Sequence, residues 1–203
     1  MRPQALRPRD LARITVDQYE SMLTQGVLSS GAPVELLDGL LMRKDRAARG
    51  EDPMTVGTLH RIAIERLQDL RPRFTRYGCR LAVQLPIRLP DWSEPEPDGA
   101  VVRGRPEEQA DRHPGPDDVL AVLEVSDSSL ARDRTVKARI YAVAGIRQYI
   151  VVNVADRQVE VHTEPVPSEG RYARRSIRRS RQIVAILVGA QRTLRIKASA
   201  LLP

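Results

Sequence analysis

The stretch Val119–Gly145, VLAVLEVSDSSLARDRTVKARIYAVAG, decides the fold. Its opening, VLAVLEV, is an apolar run of strand length with one carboxylate, Glu124, set into it. The remainder repeats apolar residues at helical spacing and carries Asp133 and Lys137 four residues apart. An unpaired charge out of water costs several kcal/mol or neutralises itself. Glu124 is therefore protonated, paired with a cation, or ligating a metal. Lys137, and the upstream carboxylate of Asp98, are the partners to consider.

Working outward, QYIVVNV at 148–154 is a second strongly apolar strand, with a turn at 155–158 and VEVH at 159–162 as its partner. Upstream, EPDGAVV at 96–102 enters a short strand, and 80–89 alternates like a strand whose Pro86 marks an edge or a bulge. The spacing of Leu59, Ala63, Leu67 and Leu70 predicts an amphipathic helix from Thr55 to Pro72, with His60 and Ile64 beside the stripe. PVELLDGLLM at 33–42 reads as a hairpin turning at Asp38–Gly39. Thr15 and Gln18 have capping-box spacing for a short helix ending before Gly26. Residues 43–53 and the Pro/Gly/Asp-rich 103–118 read as loops, 182–188 and 192–196 as closing strands, and 1–12 as a loose lead-in. A mixed sheet with a helix before its middle strands and one crossover helix is an α/β sandwich.

Composition narrows the class. The 203 residues suffice for one domain with a real core, and no apolar stretch approaches the roughly 20 residues of a membrane helix. The N-terminus lacks the apolar core of a signal peptide, and the single Cys79 excludes a disulfide framework and a Cys-rich zinc site. These features predict a soluble cytoplasmic protein without a membrane partner. The net charge of +7 favours polyanionic partners, although only Lys44, Lys137 and Lys197 are lysines, a bias that nucleotide composition also produces.

The chemistry follows from residue types. Asp98 opens a strand, Glu124 lies inside the next, and Lys137 is on the helix that follows. Two carboxylates on adjacent strands can hold a hard divalent cation such as magnesium. Such an ion activates water and polarises a phosphoryl oxygen, and a nearby lysine neutralises charge developing on the phosphate. Glu35, from the first hairpin, completes the cluster or acts on the water. No phosphate-binding glycine loop, GxSxG elbow or paired-cysteine spacing supports another common chemistry.

These residues resemble the PD-(D/E)XK nuclease superfamily, and within it the Uma-two family of restriction endonucleases. The resemblance spans about residues 14–154 and rests on TVDQYE (15–20), ELLDG (35–39), the His60 helix, EPDGAVV (96–102), LEVSDSS (123–129) and DRTVKARIYAVAGIRQYIVV (133–152). It implies a restriction-endonuclease-like α/β fold, a mixed β-sheet flanked by helices, as a single domain over 13–203. It also implies a magnesium-dependent endonuclease acting on DNA, with manganese as a substitute ion, and by analogy with enzymes that cut two strands a homodimer. Asp98 matches the Asp of the Pro–Asp motif and Glu124 the (D/E), both as metal ligands at the catalytic centre. Ser126 stands where the motif has Lys, and Lys137 is implied to replace it as the catalytic cation. Glu35 matches an early Glu of the family, as accessory metal ligand or base. Ile150 and Asn153 stand where the family commonly has Trp and Asp.

Ordinary alternatives exist for each residue. Asp98 fits a Pro–Asp–Gly turn, Lys137 could form a surface pair with Asp133, Tyr141 is expected to pack against the sheet, and Ser126 and Asp127 could cap the following helix. Arg171, Arg174, Arg175, Arg178, Arg179 and Arg181 either track phosphates or line a solvated hairpin. The rival function is a catalytically silent nuclease-fold protein that binds nucleic acid or a protein partner.

Overall fold

A computed structural model describes residues 11–29, 31–44 and 57–203. The expected lead-in at 1–12 lies outside these residues up to position 10, as does the expected loop at 43–53 from position 45 onward. Six strands form the main sheet: β3 (Cys79–Ala82), β4 (Gly99–Arg103), β5 (Val119–Ser126), β6 (Gln148–Asn153), β7 (Gln158–Val166) and β8 (Arg171–Arg179), neighbours in that order. Only β5 and β6 run parallel. Their crossover is helical from Leu130 to Val143: α4 (Leu130–Arg132), a π-helical turn (Asp133–Lys137) and α5 (Ala138–Val143). The sheet is mixed and flanked by helices, as the sequence led us to expect.

All eight residues of β5 are buried, because helices cover both faces of the sheet and the strand sits in its middle. Alternation sorts its side chains. Leu123 and Val125 face one layer, built from α2 (Thr58–Leu70), α3 (Pro72–Thr75) and β9–β10 (Ile183–Leu187, Thr193–Lys197). Val122 packs on the other side with Ile140 and Tyr141 of α5 and Leu37 of β1 (Val34–Leu37). Glu124 and Ser126, two and four residues beyond Val122, share that second face.

The first hairpin joins β1 to β2 (Leu40–Arg43) and turns where expected. Asp38 and Gly39 have φ of 53° and 77°, the paired positive values of a two-residue hairpin turn. A Cβ on Gly39 would lie 2.7 Å from that of Arg13, so glycine is required there on two counts. Helix α1 (Val16–Thr24) begins at Thr15 with both capping-box hydrogen bonds formed.

Four expectations need correction. The strand at 80–89 stops at Ala82, and the chain continues irregularly past Pro86 along the sheet edge. The 103–118 loop contains one 3-10 turn, Pro106–Gln109. The strands near 183–187 and 193–197 form, but they pair with each other and not with the sheet. Their apolar faces fill the α2 layer, and the Gln148 side chain binds the Ala185 carbonyl and the Leu187 amide on the outer edge of β9. Strand β7 runs past the expected 159–162 and pairs with β8, so most of the polar 163–181 segment is hairpin.

One buried charge in this hairpin ties stability to pH. Glu160 is fully buried and receives Arg134 from the π turn, Arg175 from β8 and the Asn153 amide. Burial works against its charge, but the Arg134 hydrogen bonds, Asn153 and Arg175 outweigh it and hold the carboxyl down to about 2. A depressed acid stabilises the fold above its unfolded value near 4.5, and that contribution is lost as pH falls toward 2. The amount at stake is about 3 kcal/mol. Glu160→Gln is expected to lower urea stability by about that much at pH 7 and by much less at pH 3. An equal loss at both pH values would contradict the assignment.

Candidate active site

The end of the β4–β5 ladder assembles the acidic residues. Gly99 pairs with Leu123 in antiparallel register, so Asp98 and Glu124, one step further, come opposite each other. The Val125 amide donates to Asp98 Oδ2 at 2.8 Å, which ties the turn residue to the strand. Asp98 is partly exposed, with 15% of its side chain open, and His60 Nε2 on α2 stands 3.5 Å from Oδ2. His60 Nδ1 is buried without a hydrogen-bond partner among the described residues.

Glu124, 3% exposed, accepts two hydrogen bonds on Oε1: from Lys137 Nζ at 2.9 Å and from the Tyr141 hydroxyl at 2.8 Å. Lys137 Nζ also lies 3.3 Å from Glu35 Oε2, which accepts in addition from the Glu96 amide at 3.3 Å. One ammonium thus bridges carboxylates from β1 and β5. The helix supplies it because Lys137 and Tyr141, four residues apart, project from one side onto the strand.

Burial pushes the Glu124 carboxyl up to about 8, with Asp133, Asp98 and Glu35 adding to the effect and Lys137 opposing it. Burial also disfavours the charge on Lys137, but Glu124 and Glu35 overcome this and hold the ammonium above its ordinary range. Tyr141, raised well above 10 by burial and by Glu124, remains a hydrogen-bond donor.

The donor chemistry suits a hard divalent cation. Glu124 Oε2 and Asp98 Oδ1 have no hydrogen-bond partner among the described residues and keep some access to solvent. Magnesium is commonly held by one or two carboxylates, with waters and substrate phosphate completing the shell. Two carboxylates are what this site offers. Among the described residues no group of three or more His, Cys, Asp or Glu side chains surrounds one point, and Glu35 is engaged by Lys137.

All four residues singled out by sequence therefore meet: Asp98, Glu124 and Lys137 at the ladder end, and Glu35 through Lys137. Three features escaped. Tyr141 hydrogen-bonds Glu124 where packing alone was expected. Asp133 and Lys137 are both buried and do not form the surface pair their spacing suggested; Asp133 accepts instead from Ser126 and Ser129. Ser126 and Asp127 cap no helix, since the residue preceding α4 is Ser129 and it makes no side-chain cap bond. A buried Tyr one turn after a site lysine was the available signal for the first.

The arginine cluster is largely committed within its own hairpin. Arg171 pairs with Glu169, Arg174 with Glu164 and Arg175 with Glu160. Arg178 donates to the Ile183 carbonyl and Arg179 to Gln158.

Comparison with known proteins agrees with this architecture. The Uma2 family model, described as "Putative restriction endonuclease", matches residues 17–196. A crystal structure of a putative nuclease from Anabaena variabilis superposes with a TM-score of 0.59 at 12% identity, over 93% of this chain and 97% of that one. The likeness extends to the fold. No curated protein matches the chain. No helix among the described residues is long and apolar enough to cross a membrane.

Proposed function

This chain belongs to the Uma2 family of restriction-endonuclease-like proteins, and on that premise we propose that it is a magnesium-dependent endonuclease hydrolysing DNA phosphodiester bonds. The observation that carries the reading is Lys137 Nζ, buried and held between Glu124 and Glu35 beside Asp98. A lysine does not enter such a place for stability alone, because desolvating three charges often costs more than their attraction returns.

Pro97–Asp98 and Glu124–Val125–Ser126 then supply the acidic positions of the PD-(D/E)XK pattern, with Lys137 in the role of its lysine. Asp98 and Glu124 would hold magnesium or manganese, which supplies an activated water and a polarised phosphoryl oxygen. Lys137 offsets negative charge gathering on the phosphate and orients the attacking water. Glu35 keeps the ammonium charged and aimed, a role its partners support over direct ligation. Tyr141 fixes Glu124 by one oxygen and leaves the other free. The homodimer, the cytoplasmic setting and the single domain over 13–203 accompany this proposal. The arginine hairpin contributes less to it, since phosphates would compete with internal partners.

The test pairs calorimetry with magnesium and manganese to a plasmid-nicking assay. Asp98→Ala is expected to abolish both the metal heat and metal-dependent nicking, with an unchanged circular dichroism spectrum. Full activity in Asp98→Ala would sink the assignment. DNA binding with neither metal heat nor nicking in the wild type would establish the silent-binder alternative.

A further inference from the structure

Asp133 poses a physical problem. It is 2% exposed, carries a carboxylate, and has no cation against it among the described residues. A buried acid without such a partner is costly unless hydrogen bonds satisfy it. Its Oδ2 accepts from the Ser126 and Ser129 hydroxyls, each at 2.6 Å, and its carbonyl accepts from the Tyr149 hydroxyl at 3.0 Å and from the Ala138 amide. The residue is over-determined in position.

Its place in the chain gives this meaning. Ser126 lies two residues after Glu124 on one face of β5, and Asp133 lies four residues before Lys137 on the crossover helix. Strand and helix are therefore joined by two matched rungs, Glu124 to Lys137 and Ser126 to Asp133. The segment between the helical ends of the rungs, Asp133–Lys137, is the π turn. Such turns are rare, less favourable than α-helix, and frequent at functional sites. With either rung gone, the extra residue in the helical circuit loses one of its two side-chain anchors to the strand.

We propose that Asp133 is a positioning residue, clamped by Ser126 and Ser129 so that the π turn delivers Lys137 Nζ to Glu124 and Glu35. The inference rests on the nuclease reading for its purpose, but not for its geometry. It also explains the serine at 126: where the motif's lysine would stand, Ser126 anchors the helix that brings the lysine in.

The chain has three lysines, so labelling its 203 residues with 15N-lysine gives at most three ammonium correlations. Lys197 is exposed and Lys44 partly so, whereas Lys137 is buried and ion-paired, which slows its exchange with water. Loss of one correlation in Lys137→Arg identifies it. In Asp133→Ala, and in Ser126→Ala/Ser129→Ala, exchange of the Lys137 ammonium is expected to speed about tenfold or more. Asp133→Asn retains an acceptor oxygen and is expected to stay near the wild type. Ser129 is only partly buried, so Ser129→Ala reads the same effect, reduced, without disturbing the core. Nicking kinetics should show kcat falling with KM unmoved. An unchanged Lys137 correlation in Asp133→Ala and Ser129→Ala overturns the proposal, as does Asp133→Asn behaving like Asp133→Ala. The spectra need neither DNA nor metal, so a protein that gives the expected spectra yet cuts nothing refutes the nuclease reading and leaves the positioning intact.

Discussion

Glu124→Gln is expected to remove metal-dependent cleavage, a loss of about a thousandfold or more, equal to the several kcal/mol that a bound ion contributes. Glutamine keeps the side-chain volume and still accepts from Tyr141 and Lys137 through its amide oxygen, so folding should survive. The wild-type protein offers a companion measurement. Its Glu124 carboxyl is pushed up to about 8 by burial, so below that pH metal binding must expel a proton. Calorimetric affinity for manganese should rise about tenfold per pH unit from pH 6 and level off above pH 8. In Glu124→Gln no metal heat is expected at any pH. Magnesium-dependent cleavage within tenfold of wild type would remove Glu124 from the mechanism.

Lys137→Met should damage both rate and stability. Its ammonium is the cation between Glu124 and Glu35, which are 3% and 2% exposed. Deleting one member of a buried ion pair leaves uncompensated charge and costs about 3–5 kcal/mol. The variant escapes this cost at low pH, where a carboxyl takes up a proton. Glu124 already sits near 8 with Lys137 pulling it down, and it rises further without it. An acid raised in the folded state stabilises the fold below its unfolded value, and that contribution is lost as pH rises through the folded one. The melting temperature of Lys137→Met should therefore approach that of wild type at pH 5–6 and fall behind by about 10 °C at pH 9. Cleavage should drop about a hundredfold or more, and Lys137→Arg should not restore it, because a planar guanidinium does not fit a site shaped for a compact ammonium. A gap that is flat with pH would show that Lys137 does not neutralise the pair.

Much of this arrangement was legible in the chain. The apolar run of β5 with its single carboxylate announced a buried strand and a charge in need of a partner, because a bare carboxylate out of water is costly. The hairpin at Asp38–Gly39 and the α1 cap were local chemistry and formed as local chemistry dictates. What the sequence could not reveal depended on distance and register. Nothing in 183–197 distinguishes a strand that joins the sheet from one that packs on it, since both are apolar every second residue. Spacing left a surface pair of Asp133 with Lys137 open as the ordinary alternative, and a π turn and two serines gave the carboxylate other partners. The arginines of β8 could be read either as tracking phosphates or as lining a hairpin, and only the pairing with β7 brings Glu160 and Glu164 to them.

The alternation along β5 carries a consequence for how this chain can change length. Leu123 and Val125 feed the α2 layer while Glu124 and Ser126 face the crossover helix, and the parallel ladder to β6 locks each residue to a numbered neighbour, Glu124 beside Val151 and Ser126 beside Asn153. A single-residue deletion between Val119 and Leu123 would exchange the two sets at a stroke, placing Val125 against Lys137 and Glu124 among Leu67, Val101 and Ile150. The strand can therefore vary in residue type but not by one residue in count. Insertions are tolerable where no such parity is enforced, as in the 103–118 connection at the far end of the β4–β5 pair from Asp98.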